Sequence, residues 1–216
     1  HSMSHNDPTN KAATQTRIAA SRENFLTALF GQANSELLLE MRCIHPKTEA
    51  ARVLWSPVGD PQRIAATMRQ VDALNKSDHG VFFAPCLRNQ KKGSAEAAVL
   101  VPALWVDIDC DNDPQLRSTA LEKLHDFEPK PSIILDSGGG WHSYWLLNPL
   151  VELPDDAARQ HIARVLHGLF AVVDGDPEYA KSVASLMRLP DTVNTKPERG
   201  GVVAAFTECQ PDRRYP

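Results

Sequence analysis

The sequence predicts an α+β fold with several antiparallel strand pairings, and three observations carry that reading. An apolar run from Val99 to Val106 leads straight into spaced carboxylates, as a buried strand would. Two further apolar runs, Ser132–Leu135 and Trp141–Leu147, flank Ser-Gly-Gly-Gly, a hairpin signal. Apolar residues recur at helical spacing in segments that alternate with these strands, above all Pro154 to Val173.

In chain order, Arg17 to Phe30 reads as a helix with Ile18, Phe25, Leu26 and Leu29 on one face, ending at Gly31. Leu37 to Ile44 is strand-like and is stopped by His45-Pro46, and Val53 to Ser56 is a short strand. Asp60-Pro61 opens a helix to about Asn75, with Asp60 as N-cap and Pro61 at its first position. Val81 to Ala84 is a strand, and Arg88 to Gly93 is a basic loop. The long strand Val99 to Ile108 follows, then a helix capped by Asp113-Pro114 that runs to about His125. After the hairpin and the long amphipathic helix, Tyr179 to Met187 is expected to be helical and Val202 to Phe206 to be a last strand. His1-Ser2-Met3 reads as a tag remnant, and residues 1–15 as a disordered leader. Residues 16–208 are expected to form a single domain, and 209–216 to begin a linker to a further C-terminal region.

Bulk composition narrows the class. The chain has 216 residues, 42% of them hydrophobic, which is enough for a sizeable core. A net charge of −4 does not advertise nucleic-acid binding, although local patches matter more than the sum. The four cysteines, Cys43, Cys86, Cys110 and Cys209, form no C-x-x-C pair, which speaks against structural zinc and suits a reducing cytoplasm. The sequence shows neither a signal peptide nor an apolar run of membrane-spanning length, so a cytoplasmic location without a membrane partner is expected.

The chemistry starts at Asp107-Ile108-Asp109. Residues i and i+2 of a strand point to the same face, so the two carboxylates lie side by side while Ile108 turns into the core. Two ionised carboxylates at the mouth of a buried strand call for a cation, and oxygen donors suit Mg²⁺ or Mn²⁺. A calcium loop starting at Asp107 fails, because Asn112 stands at its glycine position and Ser118 at its bidentate glutamate position. Asp113 is better explained as a helix cap.

Two more segments add to it. In Asp136-Ser-Gly-Gly-Gly-Trp-His142 the glycines let backbone approach a ligand, and phosphate oxygens are the usual beneficiaries. His142 shares a strand face with Tyr144, opposite Trp141, Ser143 and Trp145. The segment is neither a P-loop nor a dinucleotide fingerprint. Downstream, Asp174-Gly-Asp176 offers a third acid, and Arg188-Leu-Pro-Asp-Thr-Val-Asn194-Thr-Lys196 offers cations for a triphosphate.

The order D-x-D, S-G-G-G-x-H, Asp, R-L-P-x-T-x-N-x-K resembles the archaeo-eukaryotic primase superfamily, most closely its primase-polymerase branch in plasmid, phage and CRISPR-associated replication proteins. The likeness spans about Val99 to Phe206. It implies an RRM-like antiparallel palm sheet packed against an N-terminal α/β subdomain. It also implies template-dependent nucleotidyl transfer, as DNA primase, DNA polymerase or both. Two Mg²⁺ or Mn²⁺ ions would be held by Asp107, Asp109 and a third acid, Asp176 or alternatively Asp174. Ser137, Gly138, Gly139, Gly140, His142, Arg188, Asn194 and Lys196 would bind the nucleotide. Implied partners are single-stranded DNA template or primer-template, dNTP or NTP, and an appended C-terminal domain, a helicase or a CRISPR protein. Two departures stand out: Asp191 takes the place of a glycine common after Leu-Pro, and no zinc-binding module is present.

For the template, Arg88, Lys91 and Lys92 form the best basic loop, and Trp141 or Tyr144 could stack on a base. Both features have plainer readings, as a solvated loop and as hairpin core. Two other functions compete: a metal-dependent nuclease using the same acids, and a DNA-binding replication or CRISPR accessory module with a decayed site.

Overall fold

A computed structural model describes residues 21–176, 180 and 182–216. The expected leader, residues 1–15, lies outside them, as does the start of the helix expected from Arg17. Among the described residues, four helices of more than one turn and ten strands are formed. The helices are α1 (Arg22–Phe30), α2 (Pro61–Lys76), α3 (Pro114–Asp126) and α4 (Asp156–Val173). The strands are β1 (Leu38–Ile44), β2 (Ala51–Pro57), β3 (Gly80–Phe83), β4 (Leu87–Arg88), β5 (Ala98–Asp109), β6 (Ile133–Asp136), β7 (Gly140–Glu152), β8 (Met187–Arg188), β9 (Ala205–Cys209) and β10 (Arg214–Tyr215).

The strands join in one sheet of order β8-β3-β1-β4-β5-β7-β6-β9, with β2 on β1 and β10 on β7. All pairings are antiparallel except β10 with β7. The mixed α+β class with a large antiparallel sheet is therefore as the sequence predicts. The helix starts hold too. Asp60 Oδ1 accepts from Arg63 N, and Asp113 Oδ1 accepts from Gln115 N and Leu116 N, each ahead of a proline in the first turn.

Each face of the β5/β7 pair has its own packing. On one, Phe25 of α1 meets Tyr144 edge-on at 5.2 Å and Phe83 at 5.4 Å. On the other, Phe127 packs on Trp145 at 5.7 Å, and Trp141 Nε1 donates to Arg117 O of α3. Aromatic pairs of this kind add roughly 1 kcal/mol each beyond their burial. Trp105, Tyr144, Phe25 and Phe83 are fully buried and anchor the core.

Two expectations change. Ser182 to Leu186 is turn and irregular backbone and Met187 opens β8, so no helix runs through that stretch; Tyr179 and Lys181 lie outside the described residues. The stretch expected to begin a linker, residues 209–216, makes contacts with the fold. Cys209 is buried, Arg214 and Tyr215 pair with Leu146 and Leu147, and Tyr215 Oη donates to Lys130 O. Their polarity misled because the contacts are made by backbone and by long side chains.

Candidate active site

Strand register builds the acidic half of the site. In the β5/β7 ladder Asp107 stands directly opposite His142, and Asp109 opposite Gly140. Side chains directly opposite in an antiparallel pair share a face, so both acids and the histidine project together. His142 Nε2 lies 3.4 Å from Asp107 Oδ1. Gly140 is required here, because a Cβ would fall 1.8 Å from Ile108 O.

The third acid arrives from the end of α4. Asp174 terminates that helix in the left-handed conformation, and its exposed carboxylate pairs with Lys123 Nζ at 2.5 Å, away from the cluster. Gly175 then passes so close to β5 that a Cβ would meet Val106 and Phe170 at 2.6 and 2.7 Å. That approach lets Asp176 N donate to Asp107 O at 2.9 Å. Asp176 thus joins the acids, and Asp174 does not.

The electrostatics mark this as a strained place. Burial first, then the charges of Asp109 and Asp176, push the Asp107 carboxyl up to about 7, against the opposing pull of Arg188 and Lys196. Burial, with Arg188 second, pushes His142 down to about 3. The imidazole is neutral at pH 7, so its contact with Asp107 is a dipolar one and not an ion pair. Among the described residues, His142 Nδ1 and the Tyr144 hydroxyl are buried with no hydrogen-bond partner.

Cations face the acids from the C-terminal stretch. Arg188 pairs with Phe82 across β3/β8, and its guanidinium lies 4.8 Å over that ring. Asn194 Nδ2 donates to Ser137 O and Asn194 N to Val202 O, which ties the stretch to the glycine turn. Val193 is gripped by Asn75, whose amide donates to Val193 O and accepts from Val193 N. Phe82, Asp107, Asp109, Ser137, Gly139 and Gly140 line a cavity of about 90 Å³, together with His142, Arg188, Asn194, Lys196 and Arg199. An open cleft of about 440 Å³, bounded by Asn75, Lys76 and Gly200–Gly201, shares Asn194 and Lys196 with it. A larger apolar groove between α1 and α2, lined by Leu26, Phe30, Ile64 and Met68, holds none of these residues.

Arg199 was not singled out from the sequence. It sits in a short 3₁₀ turn, Pro197–Arg199, only three residues beyond Lys196. Its Nη2 donates to Asp109 Oδ1 at 3.0 Å and Oδ2 at 3.3 Å, and its Nη1 donates to Asn112 Oδ1 at 2.8 Å. No strand or helix pattern marks it; only its nearness to Arg188 and Lys196 in the chain could have drawn notice.

Other expected residues fall differently. Gly138 does not line the cavity, and its N–H donates to Asp136 Oδ1 at 2.8 Å, so it does not offer an amide to a phosphate. Arg88 is fully buried and donates from Nε to Glu40 Oε2 at 3.3 Å; Glu40, also fully buried, pairs with Arg42 as well. A buried charge needs such a partner, so Arg88 has no surface to give a template. Lys91 and Lys92 are exposed, with Lys92 3.9 Å from Glu96. Trp141 and Tyr144 are buried in opposite faces of the sheet, which removes both as stacking platforms.

The acids fit a hard divalent ion in donor type, since all three offer carboxylate oxygens. The Asp107 carboxyl is raised by its burial first and by the charges of Asp109 and Asp176 second, with Arg188 and Lys196 pulling the other way. Among the described residues, no three His, Cys, Asp or Glu side chains are already closed around a common point.

No family model matches the sequence, and no curated protein matches it. Solved structures do. The catalytic domain of primase RepB′, in complex with initiator DNA, superposes with a TM-score of 0.58 at 12% identity, over 86% of this chain and 85% of that one. The fold is that of the RepB′ catalytic domain. A second structure of primase RepB′ gives a TM-score of 0.59 at 12% identity and covers 88% of this chain. This chain spans 57% of that longer RepB′ chain. Among the described residues, no helix is long and apolar enough to cross a membrane.

Proposed function

We propose that this protein is a metal-dependent nucleotidyltransferase that makes or extends a nucleic-acid strand on a DNA template, a primase-polymerase. One observation carries the proposal: in a primase catalytic fold, two carboxylates, a neutral histidine and several cations line one cavity, and a third carboxylate, Asp176, lies close enough to Asp107 to act on its charge. Asp107, Asp109 and Asp176 would hold Mg²⁺ or Mn²⁺. When bound, two such ions activate the attacking hydroxyl and neutralise charge on the leaving pyrophosphate.

The chain's own residues supply position and charge. Arg188 and Lys196 face the acids across the cavity, where they would bind the triphosphate oxygens. The Ser137 hydroxyl, the backbone of Gly139 and Gly140, and neutral His142 line the same wall and add hydrogen bonds without adding charge. The cavity of about 90 Å³ suits phosphates, and the adjoining cleft gives the nucleoside room. Phosphoryl transfer needs little covalent help from a protein, so rate comes from alignment and electrostatics.

The test is incubation with template DNA, labelled nucleotides and Mn²⁺ or Mg²⁺. Extension or primer synthesis that disappears in the Asp107→Ala/Asp109→Ala double variant, with the fold intact by circular dichroism, supports the proposal. Shortening of the template instead would mean a nuclease. Retarded DNA mobility without turnover would mean a binding module. Incorporation persisting in the double variant would sink the assignment of the acids.

A further inference from the structure

Asp109 has two claimants. As a metal ligand it must present its carboxylate oxygens to a divalent ion, yet the guanidinium of Arg199 already bonds both of them. This ion pair is built, not incidental. Only 7% of the Arg199 side chain is exposed, and Asn112 fixes its second nitrogen. Asn112 Nδ2 also donates to Glu198 O at 3.0 Å, so the turn carrying Arg199 is clasped to the loop after β5 by both ends of one amide. The face of Gly139 leaves the guanidinium its space, since a Cβ there would lie 2.6 Å from Arg199 Cζ. Gly200 and Gly201 follow in left-handed conformations, where the chain turns away.

We propose that Arg199 and a divalent cation compete for Asp109, and that Arg199, once displaced, binds the substrate's phosphates. Arg199 then couples metal entry to nucleotide entry. This rests on the proposed function, because it needs the acids to be metal ligands and the cavity to take a triphosphate. The chemistry is consistent: a guanidinium donates to carboxylate and phosphate oxygens alike, and here Nη2 alone serves both Asp109 oxygens while Nη1 is held by Asn112. Arg199 already lines the cavity with Arg188 and Lys196, so the exchange needs only a change of partner. Metal alone would have to overcome the ion pair; metal arriving with a nucleotide would give the guanidinium a new anion.

The test is Mn²⁺ titration of the whole protein without nucleotide, read from the free-ion electron paramagnetic resonance signal, for wild type, Arg199→Met and Arg199→Lys. The coupling predicts Mn²⁺ binding roughly three- to tenfold tighter in Arg199→Met, with Arg199→Lys between the two. dATP binding in the presence of Ca²⁺, read by calorimetry, should weaken in Arg199→Met. Thermal melts check folding, and if Arg199→Met does not fold, the Arg199→Lys comparison decides alone. Unchanged Mn²⁺ affinity in the variants overturns the competition, and unchanged dATP affinity overturns the transfer to phosphate. The Asp107→Ala/Asp109→Ala double variant separates the two levels. If wild type binds Mn²⁺ no better than that variant does, the metal assignment fails and the inference falls with it. If wild type binds through the acids but Arg199 variants match it, only the inference fails.

Discussion

The two walls of the site are made in opposite ways. The acidic wall is strand: Asp107, Asp109 and His142 are fixed by the β5/β7 register, on two of the longest strands in the sheet. The cationic wall, residues 187–201, has a two-residue strand and a 3₁₀ turn. It is held by scattered single bonds: side chain to backbone from Asn75 to Val193, Asn194 to Ser137, Thr192 to Leu189 and Asn112 to Glu198, and backbone to backbone at Leu189, Asp191 and Asn194 beside one isolated Val193–Val203 bridge. A ladder sets positions cooperatively, whereas such single bonds each contribute about 1 kcal/mol and can be exchanged. Acids fixed by a ladder and cations held by exchangeable bonds would suit the proposed site, where phosphates come and go.

The largest expected effect strikes the rigid wall's charge. Asp107→Asn should cut nucleotide incorporation by more than ~10³-fold, measured as single-nucleotide extension. The same change should stabilise the metal-free protein in alkali. The folded carboxyl titrates near 7, above the ordinary value of 3.8, so the folded state holds the proton more tightly than the unfolded one does. Its contribution to stability therefore declines as pH rises from about 4 to about 7. The expected melt at pH 8 is several degrees higher for Asp107→Asn than for wild type. A lower melt would break the picture of crowded, uncompensated acids. By the same sign, Mn²⁺ should bind more tightly as pH climbs toward 7 and level off above it.

Next comes the rigid wall's backbone. Gly140→Ala drives a methyl into Ile108 O and should cost ~2–3 kcal/mol in chemical denaturation. A cost near zero would show that the ladder yields there, and the contrast between the walls would weaken. The smallest effect belongs to the adjustable wall. Asn75→Ala removes both bonds to Val193 and should raise the nucleotide KM severalfold while changing kcat less. An equal fall in kcat would mean the cationic wall is as rigid as the acidic one.

The same contrast explains what the sequence made legible. Alternation on β5 placed Asp107 and Asp109 on one face, and the glycine turn placed His142, because strand periodicity is local information. Helix caps at Asp60 and Asp113 were equally local. Arg188 and Lys196 stood out as charges near a third acid, but their wall has no periodicity to read. Arg199 escaped notice because its partners, Asp109 and Asn112, are 90 and 87 residues away. Arg88 misled for the reverse reason: in sequence it belongs to a basic loop, while its buried partner Glu40 is 48 residues distant. Asp174 and Asp176 were separated only by the close passage of Gly175 beneath β5, a tertiary contact that composition does not show.

The proposed chemistry requires Asp107, Asp109 and Asp176 to be metal ligands. Crystals soaked with Mn²⁺ and a non-hydrolysable dNTP, measured at the manganese absorption edge, test it most directly. The account predicts anomalous density bridging these three carboxylates, with the triphosphate against Arg188 and Lys196. A bound nucleotide with no anomalous density at the acids, or manganese held elsewhere, would contradict it.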